Sequence, residues 1–74
     1  MTRLPRINGK DVVKALKRAG FEVVNIEGSH HQMHRPGRGL VTVQVHPRET
    51  LPPKTLKSIL KQAGLTVDEL IDLL

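Results

Sequence analysis

Cysteine, tryptophan and tyrosine are absent from the sequence, and Phe21 is its single aromatic side chain. Without cysteine, the chain can form neither disulfides nor cysteine-ligated zinc sites. RNA-binding sheets of the RRM type and OB-folds stack bases on exposed aromatic side chains, and one phenylalanine cannot build such a platform. Any contact with nucleic acid must therefore use phosphates, sugars and shape.

Long apolar runs are also missing. No stretch approaches the ~20 apolar residues that a membrane-spanning helix needs, and the first residues, Met-Thr-Arg-Leu-Pro-Arg-Ile, lack the apolar segment of a signal peptide. We therefore expect a cytoplasmic protein without membrane contact. The chain has 74 residues, so we expect residues 1–74 to form one small domain.

Positive charge is in excess. Twelve lysines and arginines against seven acidic residues give a formal net charge of +5 and a pI of about 10.3. Asp68, Glu69 and Asp72 lie near the C-terminus, so the rest of the chain is more basic still. Small domains of this kind are typical of polyanion binders, with nucleic acid as the first candidate. Charge alone leaves open that the lysines only keep the surface solvated.

The hydrophobic pattern predicts an α+β fold of order α-β-β-β-α with a short C-terminal helix. Short turns favour a three-stranded antiparallel sheet with both main helices on one face, as in a double-stranded-RNA-binding domain. The predicted elements are a helix between Asn8 and Gly20, strands over residues 21–27, 30–35 and 40–45, a second helix from Pro52-Pro53 to Gly64, and a last helix opened by a capping box over residues 66–69.

Three of the four histidines lie within five residues, in the segment Gly28-Ser-His-His-Gln-Met-His34. Side chains alternate between the two faces of a strand. If Met33 points into the core, His31 lies on the same side. His30 and His34 then lie on the outer face of the sheet, away from the helices.

Two chemistries compete for these histidines, beside the alternative that they are surface residues without a role. On an extended strand His30 and His34 stand ~13 Å apart, and no carboxylate cluster or cysteine completes a metal site, so we expect no metal and no cofactor. Imidazole can take a proton from a ribose 2′-OH or give one to a leaving 5′-oxygen near neutral pH. Nearby cations would stabilise the charge that develops on the phosphate.

The remaining polar residues of this region receive separate interpretations. We expect His31 to serve packing, and His34 to be a surface residue that touches RNA. His46 is either a second catalytic group or a polar residue at a strand end, and both interpretations stay open. Ser29 is interpreted as a turn residue, because no acid is positioned to build a catalytic triad with it.

At these residues the chain resembles the HicA (YcfA-like) toxins of bacterial and archaeal toxin–antitoxin pairs. The Gly-Ser-His segment and the Leu-Lys-Ser-Ile-Leu-Lys-Gln-Ala-Gly-Leu segment are specific in combination, and the resemblance covers almost the whole chain. The matching segments are residues 4–10, 16–21, 28–31, 41–43, 46, 51–52, 55–65 and 69.

The resemblance implies a fold similar to the double-stranded-RNA-binding domain and a type II toxin that cleaves mRNA and arrests growth. It implies a HicB-type antitoxin as the protein partner. The family's catalytic histidine corresponds to His30, with His31 as the fallback and His46 as the candidate second group. The alternative is a non-catalytic RNA-binding domain of the same fold. We expect a monomer in the free state and RNA contacts from Lys10, Lys14, Ser29, His34, Arg35, Arg38, Lys54 and Lys57.

One position departs from the family pattern. Relatives often carry a proline two residues before the histidine that corresponds to His46, whereas this chain has Gln44. Glutamine can donate a backbone hydrogen bond where proline cannot. We therefore expect a longer third strand and a displaced His46, which weakens a catalytic role for that histidine.

The C-terminal apolar residues Leu70, Ile71, Leu73 and Leu74 allow one further interpretation, a protein-docking helix. We favour the alternative that they complete the core, because a small domain has few apolar residues to spare.

Overall fold

The computed structural model describes residues 3–46 and 48–74. Its three strands form one antiparallel sheet in the order β1-β2-β3, which confirms the predicted α-β-β-β-α order with a C-terminal helix. Strand bounds differ from the prediction by one residue at β1 and at β3. The elements are α1 (Gly9–Arg18), β1 (Glu22–Glu27), β2 (His30–Arg35), β3 (Gly39–Gln44), α2 (Pro53–Ala63) and α3 (Val67–Leu73).

Helix α1 begins and ends at the predicted signals. The Asn8 side chain accepts a hydrogen bond from the Asp11 N–H at 2.9 Å, which satisfies one of the free donors at the helix start. At the other end Gly20 adopts a φ of +97°. The Phe21 N–H then donates to the Leu16 carbonyl at 2.9 Å. Phe21 is 1% exposed and packs into the core before the chain enters β1.

One face of the sheet carries the core. Met33, Val41 and Val43 are completely buried, and they occupy alternate positions of the paired strands β2 and β3. They pack in one cluster with apolar residues of the helices, such as Leu16 and Leu56. The opposite, outer face is not covered by the helices, and its side chains are mostly polar.

Helix α3 closes the far side of the core. Thr66 and Glu69 form a complete capping box at its start. Leu70 is fully buried, whereas Ile71 and Leu74 remain 40% and 46% exposed. The expectation that the C-terminal apolar residues complete the core therefore holds for Leu70 and not for Ile71 or Leu74. Within the described part of the chain, no helix has the length and apolar character needed to cross a bilayer.

The start of α1 abuts the end of β3. A side chain at Gly9 would collide with the backbone carbonyl of Gln44, and its Cβ would come within 2.9 Å of the Val45 Cα. Only glycine therefore allows α1 to approach the sheet this closely. This approach fixes the backbone of Gln44 from the helix side.

We predict that Gly9→Ala lowers the free energy of unfolding by about 1–3 kcal/mol, because backbone atoms must move to admit the methyl group. Alanine is otherwise the better helix former. Urea denaturation followed by circular dichroism measures the effect. Lys10→Ala, at the exposed neighbouring position, is the control and should stay within about 0.5 kcal/mol of the parent. Equal stability of the two variants would show that the contact is not tight.

Candidate active site

His30 is the first residue of β2 and is exposed on the outer face of the sheet. The preceding turn depends on Gly28, which has a φ of +57°, a conformation that most side chains disfavour. In the antiparallel sheet His30 stands opposite Glu27 on β1 and Gln44 on β3. The burial of Met33 and the alternation of β2 thus place His30 outside, as predicted.

The ring of His30 contacts the side chain of Gln44. The Gln44 Nε2 atom lies 3.4 Å from His30 Nε2, a long hydrogen bond in which the amide donates when the ring nitrogen carries a lone pair. The two residues are direct partners in the strand register, so the backbone itself holds their side chains near each other.

Helix α2 runs beside β3 and supplies the second wall of an open groove next to His30. Lys54, Ser58 and Gln62 recur at every fourth position and so form one stripe of the helix. The groove has a volume of about 340 Å³. Its lining residues are His30, Thr42, Gln44, Lys54, Thr55, Ser58, Ile59 and Gln62.

The formal charge of the side chains that line this groove is positive. Lys54 is a cation, and no carboxylate is among the described lining residues. Glu27 is the nearest acid along the strand register, on the opposite side of His30 from the groove. The groove therefore combines an exposed imidazole, one cation and neutral hydrogen-bonding side chains, a set of groups that suits an anionic substrate such as a phosphodiester.

Comparison with protein-family models matches residues 9–65, well over half of the chain, to the HicA toxin of bacterial toxin–antitoxin systems. This chain belongs to the HicA toxin family. Members of the family are generally ribonucleases, and a toxin of this kind implies an antitoxin partner. The matched span runs from the first residue of α1 to just beyond α2 and includes every residue of the groove. A search of curated proteins found no match.

Gln62 ties the two walls of the groove of this HicA-family chain together. Its Oε1 accepts a hydrogen bond from the backbone N–H of Thr42 at 3.4 Å. Its Nε2 donates to Ser58 Oγ at 3.2 Å. Both ends of the amide are thus occupied, and the edge of β3 is joined to α2. Thr42, Ser58 and Gln62 were not among the residues expected at the site, although the spacing of Lys54, Ser58 and Gln62 marks one helix face.

His46 lies outside this groove. It is exposed in the loop after β3, and its carbonyl accepts a hydrogen bond from the Glu49 N–H at 3.2 Å. It lines a separate cavity of about 190 Å³, and Gln44 is the residue that this cavity shares with the groove. His30 and His46 therefore line two different cavities that meet at Gln44.

Gln44 does not lengthen β3 as expected. The strand ends at Gln44, and the bond that follows in the ladder is from the Val45 N–H to the Ser29 carbonyl. The Thr42 N–H points away from β2, towards Gln62. Because donors alternate along an antiparallel strand, the Gln44 N–H points to the same free edge. The Gln44 N–H therefore adds no bond to the sheet, and the side chain of Gln44 lies on the outer face.

His31 faces the helix side of the sheet and is half-buried. It stands opposite Ile26 and Val43 in the register. Its Nδ1 atom is buried and has no hydrogen-bond partner among the described residues. This position agrees with the expected packing role and keeps His31 away from the groove.

Two of the expected RNA contacts, Arg35 and Arg38, pack over the ends of helices. The Arg35 guanidinium lies over Gly20, after α1, and the Arg38 guanidinium lies over Gly64, after α2. Cations at helix C-termini are favoured by the helix dipole. Arg35 is the last residue of β2, roughly 17 Å along the strand from His30, and Arg38 lies in the turn that follows.

The other expected contacts are distributed around the molecule. Lys10 and Lys14 are exposed on α1, Lys57 is exposed on α2 outside the groove lining, and Ser29 is half-buried in the turn before His30. His34 is exposed on the outer face, near the far end of β2. Among residues 3–46 and 48–74, no three histidine or acidic side chains come together as a metal site would require.

We predict that Gln62→Leu accelerates hydrogen exchange of the Thr42 amide by roughly fivefold, because the loss of this bond costs about 1 kcal/mol. NMR-detected exchange measures it. Ser58→Ala is the matched control, since it removes the other contact of Gln62 and leaves the Thr42 bond in place. Unchanged Thr42 exchange in Gln62→Leu would mean that this side chain does not join the two walls.

Proposed function

We propose that this chain is the endoribonuclease toxin of a type II toxin–antitoxin pair and that it cleaves mRNA by acid–base catalysis at His30, without a metal. The observation that carries the proposal is the position of His30, an exposed imidazole at the rim of a groove whose lining, over the described residues, includes Lys54 and no carboxylate. Imidazole is the side chain best suited to proton transfer near neutral pH.

The reaction needs two proton transfers. The ribose 2′-oxygen loses its proton to a base and attacks the adjacent phosphorus atom. The bond from phosphorus to the 5′-oxygen then breaks, and an acid gives that oxygen a proton. The products are a 2′,3′-cyclic phosphate and a 5′-hydroxyl. His30 exchanges one of these protons, and Lys54 stabilises the negative charge that builds up on the phosphate.

Substrate binding rests on phosphate contacts, since the chain has one aromatic side chain and that one is buried. Lys54 lines the groove with His30, and Ser29 precedes His30 in the sequence. We assign both to contacts with the phosphate at which the RNA is cleaved. Flanking nucleotides would contact four exposed residues, Lys10, Lys14, Lys57 and His34. Arg35 and Arg38 pack over the C-terminal ends of α1 and α2, so they would contact RNA at those helix ends.

The antitoxin partner is proposed to be a HicB-type protein that covers the same groove. An acidic surface would complement Lys54 and the net charge of +5, and charge complementarity of this kind accelerates association. A non-catalytic RNA-binding domain remains the second candidate function. It shares the basic surface but assigns no task to the exposed His30.

We predict that the parent chain cleaves RNA in excess EDTA and that His30→Ala loses at least about 100-fold in rate, the usual contribution of a general acid or base. Gln32→Ala, on the same strand and outer face, is the control. Circular dichroism establishes that all three proteins are folded. Cleavage by His30→Ala at the parent rate would move the search to His31 and His46. RNA binding without cleavage by the parent would favour the non-catalytic function.

We predict that Lys54→Gln weakens RNA binding and lowers the slope of log Kd against log salt by about 0.7, the value for one phosphate contact on a single strand. Fluorescence anisotropy at several salt concentrations measures this, in a His30→Ala background that leaves the RNA intact. Lys17→Gln removes an equal charge from the exposed side of α1. If both variants changed the slope equally, net charge rather than the groove would govern binding.

A further inference from the structure

The hydrogen bond between Gln44 and His30 joins two side chains whose positions are set by the backbone. The residues are register partners across β2 and β3. The Gln44 backbone is held on one side by the close approach of Gly9 and on the other by the bond from the Val45 N–H to Ser29. The backbone of Gln44 is therefore held next to His30.

The contact involves one particular ring nitrogen. An amide nitrogen can only donate, so a hydrogen bond from it to His30 Nε2, which lies 3.4 Å away, forms in the tautomer in which Nε2 has a lone pair and the neutral ring carries its proton on Nδ1. When Nε2 carries a proton, the amide can turn over and accept it through Oε1, since rotation about the last glutamine torsion is soft. Gln44 can thus partner Nε2 in either state.

We propose that Gln44 is a positioning residue for His30, whose amide holds Nε2 and leaves Nδ1 to exchange the proton with RNA. The inference rests on the proposed ribonuclease function. When the 2′-oxygen gives its proton to Nδ1, the Nε2–H donates to Gln44 Oε1, as a second polar group orients the imidazole in histidine-based active sites. The 3.4 Å separation is long for a hydrogen bond, and such contacts shorten when substrate binds.

The residues around His30 support Gln44, rather than another residue, as the one that positions the imidazole. Glu27 stands opposite His30 on β1, and Lys54 faces it across the groove from α2. Among the described residues, the hydrogen bond to the His30 ring comes from Gln44. The next amide on the outer face, Gln32, is engaged elsewhere, because its Oε1 accepts from Asn25 at 3.4 Å.

Three variants test the assignment. Gln44→Leu keeps the approximate size of the side chain and removes the hydrogen bond, and Gln44→Glu keeps an acceptor. Gln32→Leu removes an amide of the same face that hydrogen-bonds to Asn25. We expect Gln44→Leu to lower kcat about tenfold, the value of one hydrogen bond of about 1.4 kcal/mol, with KM changed by less than about twofold. Gln32→Leu should leave both constants within about twofold of the parent.

The pH profile gives a readout that a merely structural role would not change. A carboxylate at position 44 favours the protonated ring, so the cleavage profile of Gln44→Glu should move to higher pH, by roughly half a unit to one unit at this exposed site. The direction is the same whether His30 acts as base or acid. At its own optimum Gln44→Glu should recover most of the parent kcat, whereas Gln44→Leu should not recover it at any pH.

The tautomer can be read without substrate. Nitrogen-15 NMR of the His30 ring should show the neutral form with its proton on Nδ1 in the parent and a changed ratio of tautomers in Gln44→Leu. An unchanged ratio, an unchanged kcat, or a change in KM alone would overturn the inference. If His30→Ala is inactive, the proposed function survives that result; if His30→Ala cleaves at the parent rate, the role proposed for His30 fails, and the search for the catalytic group moves to His31 and His46.

Discussion

The pairing register of β2 is the constraint on which the outer face of this molecule depends. Met33 is completely buried, and successive side chains of a strand point to opposite faces. A slip of one residue would expose Met33 and turn His30 into the core, so the cost of exposing a large apolar side chain protects the position of the histidine. The same register places Gln44 opposite His30.

The groove next to His30 forms only if the sheet and helix α2 are held together, because its two walls come from these two layers. His30, Thr42 and Gln44 belong to the sheet, whereas Lys54, Ser58 and Gln62 belong to α2. Gln62 joins the layers at Thr42, and Gly9 allows α1 to reach the end of β3. A small domain without disulfides thus holds its candidate site with packing and a few side-chain hydrogen bonds.

Local signals in the sequence are sufficient to predict the elements of this fold. Asn8, Gly20, Gly64 and the capping box at Thr66 mark the helix ends, and β2 has the predicted bounds. Alternation about Met33 also predicts the outward position of His30 and the inward position of His31. These features depend on residues close in sequence, for which period and capping are informative.

Features that depend on distant residues could not be predicted in this way. The spacing of Lys54, Ser58 and Gln62 marks a helix face, but it does not say which edge of the sheet that face meets. Gln44 was expected to lengthen β3, whereas its N–H points to the free edge. Arg35 and Arg38 each pack over a helix end, and their predicted contacts with RNA give no sign of this placement. Such placements depend on how the helices pack against the sheet, and local sequence patterns do not predict that packing.

The proposed chemistry is tested most directly by the ends of the RNA fragments that the parent chain produces. Proton transfer at His30 to and from ribose and phosphate oxygens predicts a 2′,3′-cyclic phosphate on the upstream fragment and a 5′-hydroxyl on the downstream fragment, neither of them formed by His30→Ala. Fragments with a 3′-hydroxyl and a 5′-phosphate would instead show attack by water. They would contradict the role given to the 2′-oxygen and to His30.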